Sequence, residues 1–179
     1  DEWKNTYSSS TDILTYFGDN RTPGKDIFDT KQRGNLTFLK LFERGYGSFN
    51  ERVKLPPIFY FERTGARSDM RFIGLAIPFV NGMTKEEALQ KQTFKSNEGE
   101  FENYIAHFKI IPNLNIKREW LYDLKLNRKD YSPFAPKEWL DFINNGSTEI
   151  NTPSDFSDNN SYGLIDPIYT QHTKEMIVQ

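Results

Sequence analysis

The chain has 179 residues, no cysteine, only two histidines, and 23 basic against 25 acidic side chains. This length fits one folded domain with an appended tail, since domains of about 100–150 residues are the most common. The missing cysteines exclude a disulfide scaffold, a thiolate metal site and a cysteine nucleophile. No stretch reaches the roughly 20 apolar residues of a membrane-spanning helix, and the opening residues do not resemble a signal peptide. A cytoplasmic location without membrane contact is therefore expected.

The net charge of -2 hides an uneven distribution of charge along the chain. The stretch from Arg21 to Arg71 contains eleven basic and six acidic residues, which gives it a local charge of about +5. The stretch 149–166 contains four acidic residues and no basic one. A basic body with an acidic tail is compatible with binding to nucleic acid, because the phosphate backbone attracts clustered Lys and Arg side chains.

The first part of the chain predicts a strand, a long loop and a helix. Residues 1–11 are polar and predict a flexible opening loop. The apolar run 13–17 predicts a β-strand that ends at Gly18. After a long polar loop, Asn35 is expected to cap a helix that ends near Gly45.

The middle of the chain predicts a β-hairpin with strands at 58–61 and 71–78. A further strand is predicted at 104–110, where apolar and polar residues alternate. Between the hairpin and this strand, Thr84 and Glu87 form the capping-box pattern of a short helix.

The C-terminal part predicts two helices and then a change of character. The helices lie at 117–124 and 136–143, and the second opens with a proline, which favours the first turn of a helix. Residues 146–166 are rich in Asn, Ser, Asp and Gly and predict an acidic flexible linker. Residues 167–179 regain apolar character and indicate the start of a following domain that is cut short. The expected division is therefore a folded domain at 1–145, a linker and the start of a second domain.

No catalytic motif emerges from the sequence. It contains no phosphate-binding glycine loop, nucleophile elbow or zinc-protease motif. The nearest match to a metal-dependent nuclease is Asp123 with Lys125, but this pair lies in a predicted helix rather than on a strand. His107 lies in a predicted strand, where a structural histidine is the simpler interpretation. We therefore expect no catalytic residue and no metal site.

The polar loop that follows the first strand holds the combination of side chains best suited to binding. Aromatic rings, carboxylates, an amide and cations lie within residues 16–35. This mixture suits a nucleotide base turned out of a duplex, because rings stack on the base, polar groups address its edge and cations hold phosphates. The alternative is a turn whose Gly, Asp, Asn and Pro residues serve only backbone geometry.

Two resemblances favour the first interpretation. Tyr16-Phe17-Gly18-Asp19, followed by a basic turn and a Gly-Asn-Leu helix start, is similar to an element of SRA domains, which bind methylated cytosine by base flipping. More specifically, residues 13–145 resemble the N-terminal recognition region of AspBHI-like modification-dependent restriction endonucleases. The segments that carry this resemblance are YFGDNRTPGK at 16–25, PPIFYFER at 56–63, RFIGLAIP at 71–78, FENY at 101–104 and APKEW at 135–139.

The resemblance implies a fold and a function. The implied fold is α+β, an SRA-like (PUA-superfamily) curved, β-barrel-like sheet flanked by short helices. The implied function is recognition of 5-methylcytosine in double-stranded DNA by a cytoplasmic prokaryotic protein. The resemblance further implies that this domain needs no cofactor, while a PD-(D/E)xK nuclease domain of the parent enzyme uses Mg²⁺. Homo-oligomerisation of the full-length enzyme is left open.

The resemblance also implies roles for particular residues. Tyr16 aligns with the aromatic residue that stacks on the flipped base, and Phe17 lies beside it. Asp12 or Asp19 would accept a hydrogen bond from the cytosine amino group, with Asn20 as a further polar group. The cations expected to contact the DNA backbone or bases are Arg21, Lys25, Lys31, Arg33, Arg63, Arg67 and Arg71.

Three other functions stay open at this stage. A pseudobarrel domain of a restriction enzyme can read an unmodified site without base flipping. A self-contained nuclease would use Asp123 and Lys125. An assembly module would bind no nucleic acid at all.

Overall fold

One antiparallel sheet with five helices packed around it makes up the described part of the chain. The computed structural model describes residues 4–65, 69–127 and 132–148. Their elements in chain order are β1 (Thr6–Ser8), β2 (Ile13–Phe17), α1 (Gly34–Gly45), α2 (Phe49–Arg52), β3 (Ile58–Arg63), β4 (Met70–Ile77), α3 (Lys85–Ala88), β5 (Leu89–Ser96), β6 (Gly99–Pro112), α4 (Arg118–Lys125) and α5 (Lys137–Asn145). Among these helices, none is long and apolar enough to cross a membrane. The expectation of a mixed α and β fold with short helices is confirmed.

The sheet is organised around β6, its longest strand. The strand order is β1-β2-β6-β4-β3, and β5 pairs with β6 outside this path. The 14 residues of β6 are long enough to pair with three strands, β2, β4 and β5, at different positions along its length. On one face of β6 the alternating residues Ala106, Phe108 and Ile110 are buried. This is the period of two that predicted the strand.

The two strands at the ends of this strand order approach each other. Tyr7 lies on β1 and Tyr60 on β3, at opposite ends of the strand order, yet their ring centroids are 5.7 Å apart. In a flat sheet, four strand intervals would separate these strands by about 19 Å. The sheet is therefore rolled, and β1 approaches β3 through the side chains of Tyr7 and Tyr60, a place that we call the seam.

Helices cover both faces of the rolled sheet. On one face α1 inserts Phe42, whose ring centroid lies 5.0 Å from that of Phe108. On the other face Phe59 of β3 contacts Trp120 of α4 at 5.7 Å. Phe42 and Trp120 are fully buried, so each helix is fixed to the sheet by a large aromatic anchor, the kind of side chain that dominates core energetics.

Most predicted elements are confirmed. The strand 13–17, the hairpin of β3 and β4, the strand within β6 and the helices α1, α4 and α5 are all present. The predicted capping box is also present, because the Thr84 hydroxyl accepts from the Glu87 amide and the Glu87 carboxylate accepts from the Thr84 amide.

Three elements differ from the prediction, and one of them is the short helix Phe49–Arg52, which was not predicted. The flexible loop predicted at 1–11 is wrong for Thr6–Ser8, which pairs with β2 as β1. The strand Leu89–Ser96 was also not predicted. It pairs only with β6 and is mostly exposed, so its sequence does not need to alternate apolar and polar residues. From position 149 onward, the predicted linker and the predicted second domain lie outside the described residues.

Candidate nucleic-acid interface

Residues 18–33, between β2 and α1, form a loop held by buried and half-buried polar side chains. Its centre is the Asp19 carboxylate. One oxygen accepts hydrogen bonds from the Thr30 hydroxyl at 2.6 Å and the Gly34 amide at 2.9 Å, and the other accepts from the Asn35 amide at 3.0 Å. Asp19 therefore closes the loop and satisfies the first free amides of α1 at the same time.

This arrangement corrects the predicted helix cap. Asn35 does not cap α1; the capping position is occupied by Arg33, whose side chain makes no capping hydrogen bond. The amides that a cap would satisfy are taken by Asp19, which lies outside the helix. A Cβ atom on Gly34 would lie 2.8 Å from the Asp19 Cγ atom, so glycine is needed where the carboxylate approaches the backbone.

A second set of hydrogen bonds fastens the loop to β6. The Asn20 side chain is 2% exposed; it donates to the Glu102 carbonyl at 2.9 Å and accepts from the Thr22 amide at 3.2 Å. The Asn103 side chain on β6 donates to the Gly18 carbonyl at 3.0 Å. Both ends of the amide of Asn20 are thus engaged within the protein.

The structure consequently separates two groups of predicted site residues. Asp19 and Asn20, predicted as base-contacting groups, have their polar atoms engaged in the framework of the loop. Four predicted DNA-contacting cations are exposed on the same loop: Arg21, Lys25, Lys31 and Arg33. The framework holds these cations in place.

The Asp19 carboxyl also makes the loop sensitive to acid. Burial raises the pKa of this carboxyl, but the hydrogen bonds from Thr30, Gly34 and Asn35 outweigh burial and lower the pKa below its ordinary 3.8. A lowered folded-state pKa stabilises the fold above the unfolded pKa, and this stabilisation is lost as pH falls through the folded pKa.

We therefore expect the free energy of unfolding to fall more steeply below about pH 5 in the wild type than in Asp19→Asn, which has no carboxyl to titrate. Urea denaturation at a series of pH values measures the two slopes. Parallel pH profiles for the two proteins would contradict this assignment.

A second polar group lies at the seam between β1 and β3. The Tyr7 hydroxyl donates to Asp12 Oδ1 at 2.8 Å, and the Tyr60 hydroxyl donates to Glu62 Oε1 at 3.2 Å. We call Tyr7, Asp12, Tyr16, Tyr60 and Glu62 the seam cluster. It combines three aromatic rings with two carboxylates on the side where the sheet edges meet.

The hydroxyls of Tyr7 and Tyr60 stay protonated at neutral pH. Burial, followed by the hydrogen bond to Asp12, raises the pKa of Tyr7 to about 12. Burial, followed by the charge of Glu62, raises the pKa of Tyr60 to about 12, with a smaller contribution from Tyr16. Because Tyr7 pairs with Leu14 across β1 and β2, Tyr7 and Tyr16 lie on the same face of this strand pair. Tyr60 joins them through its ring contact with Tyr7.

Tyr16 is the most open ring of the seam cluster. Its side chain is 41% exposed, and its ring stands edge-on to Phe38, with centroids 5.8 Å apart and planes at 90°. Phe17 lies on the opposite face of the sheet, as neighbouring residues of a strand do, and its ring contacts Phe94 at 6.2 Å. The structure therefore does not bring Tyr16 and Phe17 together, and one base cannot contact both.

Asp12 belongs to the seam cluster, whereas Asp19 does not. Asp12 lies in the turn between β1 and β2 with φ 54°. Its Oδ2 atom is 3.5 Å from the Lys109 ammonium, which also donates to the Thr11 carbonyl at 2.9 Å. Of the two carboxylates that the sequence left as alternatives, Asp12 is the one beside aromatic rings.

The predicted cations of the β3–β4 hairpin are only partly described. Arg63 and Arg71 are exposed, and the Arg71 guanidinium lies 3.7 Å from the Glu62 carboxylate. Arg71 therefore borders the seam cluster. Arg67 lies outside the described residues.

Sequence reasoning missed three members of the seam cluster. Tyr60 and Glu62 share one face of β3 by simple alternation, which was the available signal. The segment that contains Tyr7 is polar and predicts a loop, so nothing in the sequence indicates that Tyr7 belongs to this site. The contact between Tyr7 and Tyr60 joins strands that are distant in both the chain and the strand order.

The described part of the chain shows no metal-binding arrangement of the kind that a nuclease would need. The Asp123 carboxylate accepts a hydrogen bond from the Ser132 hydroxyl at 2.6 Å, and within the described ranges no group of three or more His, Cys, Asp or Glu residues is arranged to hold a metal ion. His107 Nδ1 lies 3.1 Å from the Thr15 hydroxyl, and burial lowers the pKa of its imidazole.

Three solved structures with the same fold are restriction endonucleases or a part of one. The chain is similar to the DNA modification-dependent restriction endonuclease AspBHI, with 29% identity, a TM-score of 0.72 and coverage of 82% of this chain and 37% of that one. It is similar to the DNA recognition domain of the cytosine modification-dependent restriction endonuclease LpnPI, with 25% identity, a TM-score of 0.71 and coverage of 89% and 69%. The MspJI restriction endonuclease in complex with a 27-mer oligonucleotide shares the fold at 18% identity, with a TM-score of 0.61 and coverage of 97% and 43%.

The fold therefore places the chain in the class of DNA recognition domains of modification-dependent restriction endonucleases. The family model described as "Restriction endonuclease AspBHI N-terminal" matches residues 1–153, and the chain belongs to that family. The resemblance inferred from the sequence is thereby confirmed. The chain spans little more than a third of the length of AspBHI. Among curated proteins, none matches the sequence significantly.

Proposed function

We propose that this chain recognises 5-methylcytosine in double-stranded DNA by turning the modified base out of the duplex and into the seam cluster. The observation that carries the proposal is the exposed side chain of Tyr16, which lies on the same face of the β1–β2 pair as Tyr7 and its hydrogen-bonded Asp12. The rolled sheet, whose edges meet at the seam, supports an SRA-like fold of the PUA superfamily.

The seam cluster offers the groups that a flipped cytosine needs. Tyr16 stacks on the ring of the base, and stacking on an aromatic side chain contributes about 1–3 kcal/mol. A carboxylate, Asp12 or Glu62, accepts a hydrogen bond from the amino group of cytosine. These contacts offset an extrusion cost of a few kcal/mol. A fully buried methyl group adds about 0.8 kcal/mol, so strong selectivity also requires contacts that penalise the unmodified base.

The rest of the parent protein is proposed from the family to which the chain belongs. The linker at 146–166 would connect the recognition domain to a nuclease domain that begins at 167–179 and uses Mg²⁺ in the parent enzyme. The recognition domain itself would need no cofactor. Such an enzyme would act on DNA in the prokaryotic cytoplasm. Its full-length form would be able to form a homo-oligomer.

The exposed cations Arg21, Lys25 and Lys31 of the 18–33 loop are proposed to hold the phosphate backbone. Lys25 lies in this loop with its side chain exposed. We expect Lys25→Ala to weaken binding to methylated and unmethylated duplexes equally and to lower the slope of log K against log salt by about 1. Fluorescence anisotropy at several salt concentrations measures both quantities. A loss confined to the methylated duplex would show that Lys25 reads the base instead.

Base flipping is tested by a fluorescent base next to the modified cytosine. With 2-aminopurine as the neighbour of 5-methylcytosine, extrusion of the cytosine removes a stacking partner, and the fluorescence should rise when the wild-type chain binds. Tyr16→Ala should give a smaller rise at saturating protein. Full binding without any rise in fluorescence would favour readout of the intact duplex.

A further inference from the structure

Arg33 occupies a backbone conformation that arginine rarely adopts. Four non-glycine residues in the described part of the chain have positive φ: Asp12 at 54°, Arg33 at 53°, Asn113 at 58° and Asn127 at 58°. Asparagine tolerates the left-handed region because its short side chain bonds locally. A long side chain gains no such compensation, so Arg33 carries backbone strain.

The fold fixes this conformation from both sides. The Arg33 amide donates to the Thr30 carbonyl at 3.2 Å, and its carbonyl accepts from the Thr37 amide at 3.0 Å and from the Thr37 hydroxyl at 3.0 Å. The next residue, Gly34, is held against the Asp19 carboxylate. The loop closure therefore imposes a left-handed residue at position 33, whichever side chain occupies it.

The fold itself makes little use of the Arg33 side chain. The side chain makes no capping hydrogen bond to α1 and is exposed. Asparagine occupies the same left-handed region at Asn113 and Asn127, so an asparagine at position 33 would relieve the strain. Backbone strain that a simple substitution would remove is typical of residues retained for binding.

We propose that Arg33 contacts a DNA phosphate directly, and that the left-handed backbone aims its guanidinium at the duplex. The planar guanidinium presents two parallel donors to two phosphate oxygens, a geometry that lysine cannot reproduce. Arg33 is the last residue of the loop that carries Lys25, and its side chain is likewise exposed. This inference rests on the proposed function, since it requires that the chain bind duplex DNA.

Two substitutions separate the effect of backbone strain from the effect of the guanidinium. Arg33→Asn should raise the Tm by about 2–4 °C, because asparagine adopts the left-handed backbone at a lower cost than arginine. The same variant should weaken binding to a 5-methylcytosine duplex and to its unmodified counterpart by about 10-fold each, because a charge-assisted contact is lost. Arg33→Lys should leave the Tm unchanged and still weaken binding several-fold.

The control variant is Asn113→Gln, which places a longer uncharged side chain at a left-handed position beyond the end of β6. It should lower the Tm by a similar amount and leave DNA affinity unchanged. Arg33→Asn with a raised Tm and wild-type affinity would overturn the proposed contact, and Arg33→Asn with a lowered Tm would overturn the assignment of strain. Both results are distinct from failure of the proposed function, in which the wild type itself would not bind duplex DNA.

Discussion

Tyr16→Ala should abolish most of the preference for methylated DNA. Loss of one base-stacking contact of about 1–3 kcal/mol corresponds to roughly 5- to 150-fold weaker binding, and the loss should appear only with the duplex that carries 5-methylcytosine. The reason is that Tyr16 alone in the seam cluster presents a largely open ring, 41% exposed. Equilibrium titration of matched methylated and unmethylated duplexes measures the effect.

Two variants separate stacking from other effects of the substitution. Tyr16→Phe keeps the ring and should retain most of the preference. Tyr122 on α4 is an even more exposed tyrosine, at 59%, and Tyr122→Ala should leave both affinities unchanged. If Tyr16→Ala weakened both duplexes equally, Tyr16 would be a general contact and the flipped base would lie elsewhere.

Asp19→Ala should be the most destabilising single change in the candidate interface, with a loss of about 2–4 kcal/mol. The substitution leaves the Thr30 hydroxyl and the Gly34 and Asn35 amides without their charged acceptor. Because the same bonds hold the loop that carries four exposed cations, affinity for all duplexes should fall together. Urea denaturation and anisotropy titration measure the two effects.

Asp29→Ala is the matched control, since Asp29 lies in the same loop and is exposed. It should change the free energy of unfolding by no more than about 0.5 kcal/mol, as is usual for surface substitutions. Asp19→Asn should fall between the two, because an amide retains an acceptor oxygen but loses the charge. An Asp19→Ala protein as stable as Asp29→Ala would show that the carboxylate is not the centre of the loop.

Local sequence signals predicted the elements that depend on local physics. The capping box at Thr84 and Glu87, the hairpin of β3 and β4, and the helices α4 and α5 all follow from neighbouring residues. Each depends on contacts or periodicity within a few residues. The same signals failed where the partner lies far along the chain.

Asp19 shows why the site was harder to predict than the fold. The segment Gly18-Asp19-Asn20 is polar and turn-like whether it contacts DNA or holds a loop, and only the bonds to Gly34 and Asn35 decide the role of its carboxylate. The seam posed a similar problem, because rolling of the sheet brings β1 and β3 together. No pattern among neighbouring residues predicts that two strands so far apart in the sheet come together.

Arg33 adds a feature that the sequence did not signal. Arginine was expected among the cations of the loop, but its left-handed backbone depends on the closure of that loop by Asp19 and Thr30. The strain became visible only with the backbone angles. It distinguishes Arg33 from its exposed neighbours Lys25 and Lys31, which the sequence treated as equivalent.

The most direct test of the central proposal is a titration of this chain with three duplexes of one sequence, carrying 5-methylcytosine on both strands, on one strand or on neither. The account predicts that binding to either methylated duplex is clearly tighter than binding to the unmodified duplex. Equal affinity for all three would contradict it and favour readout of an unmodified site. Absence of binding to any duplex at low salt, where phosphate contacts are strongest, would indicate an assembly module instead.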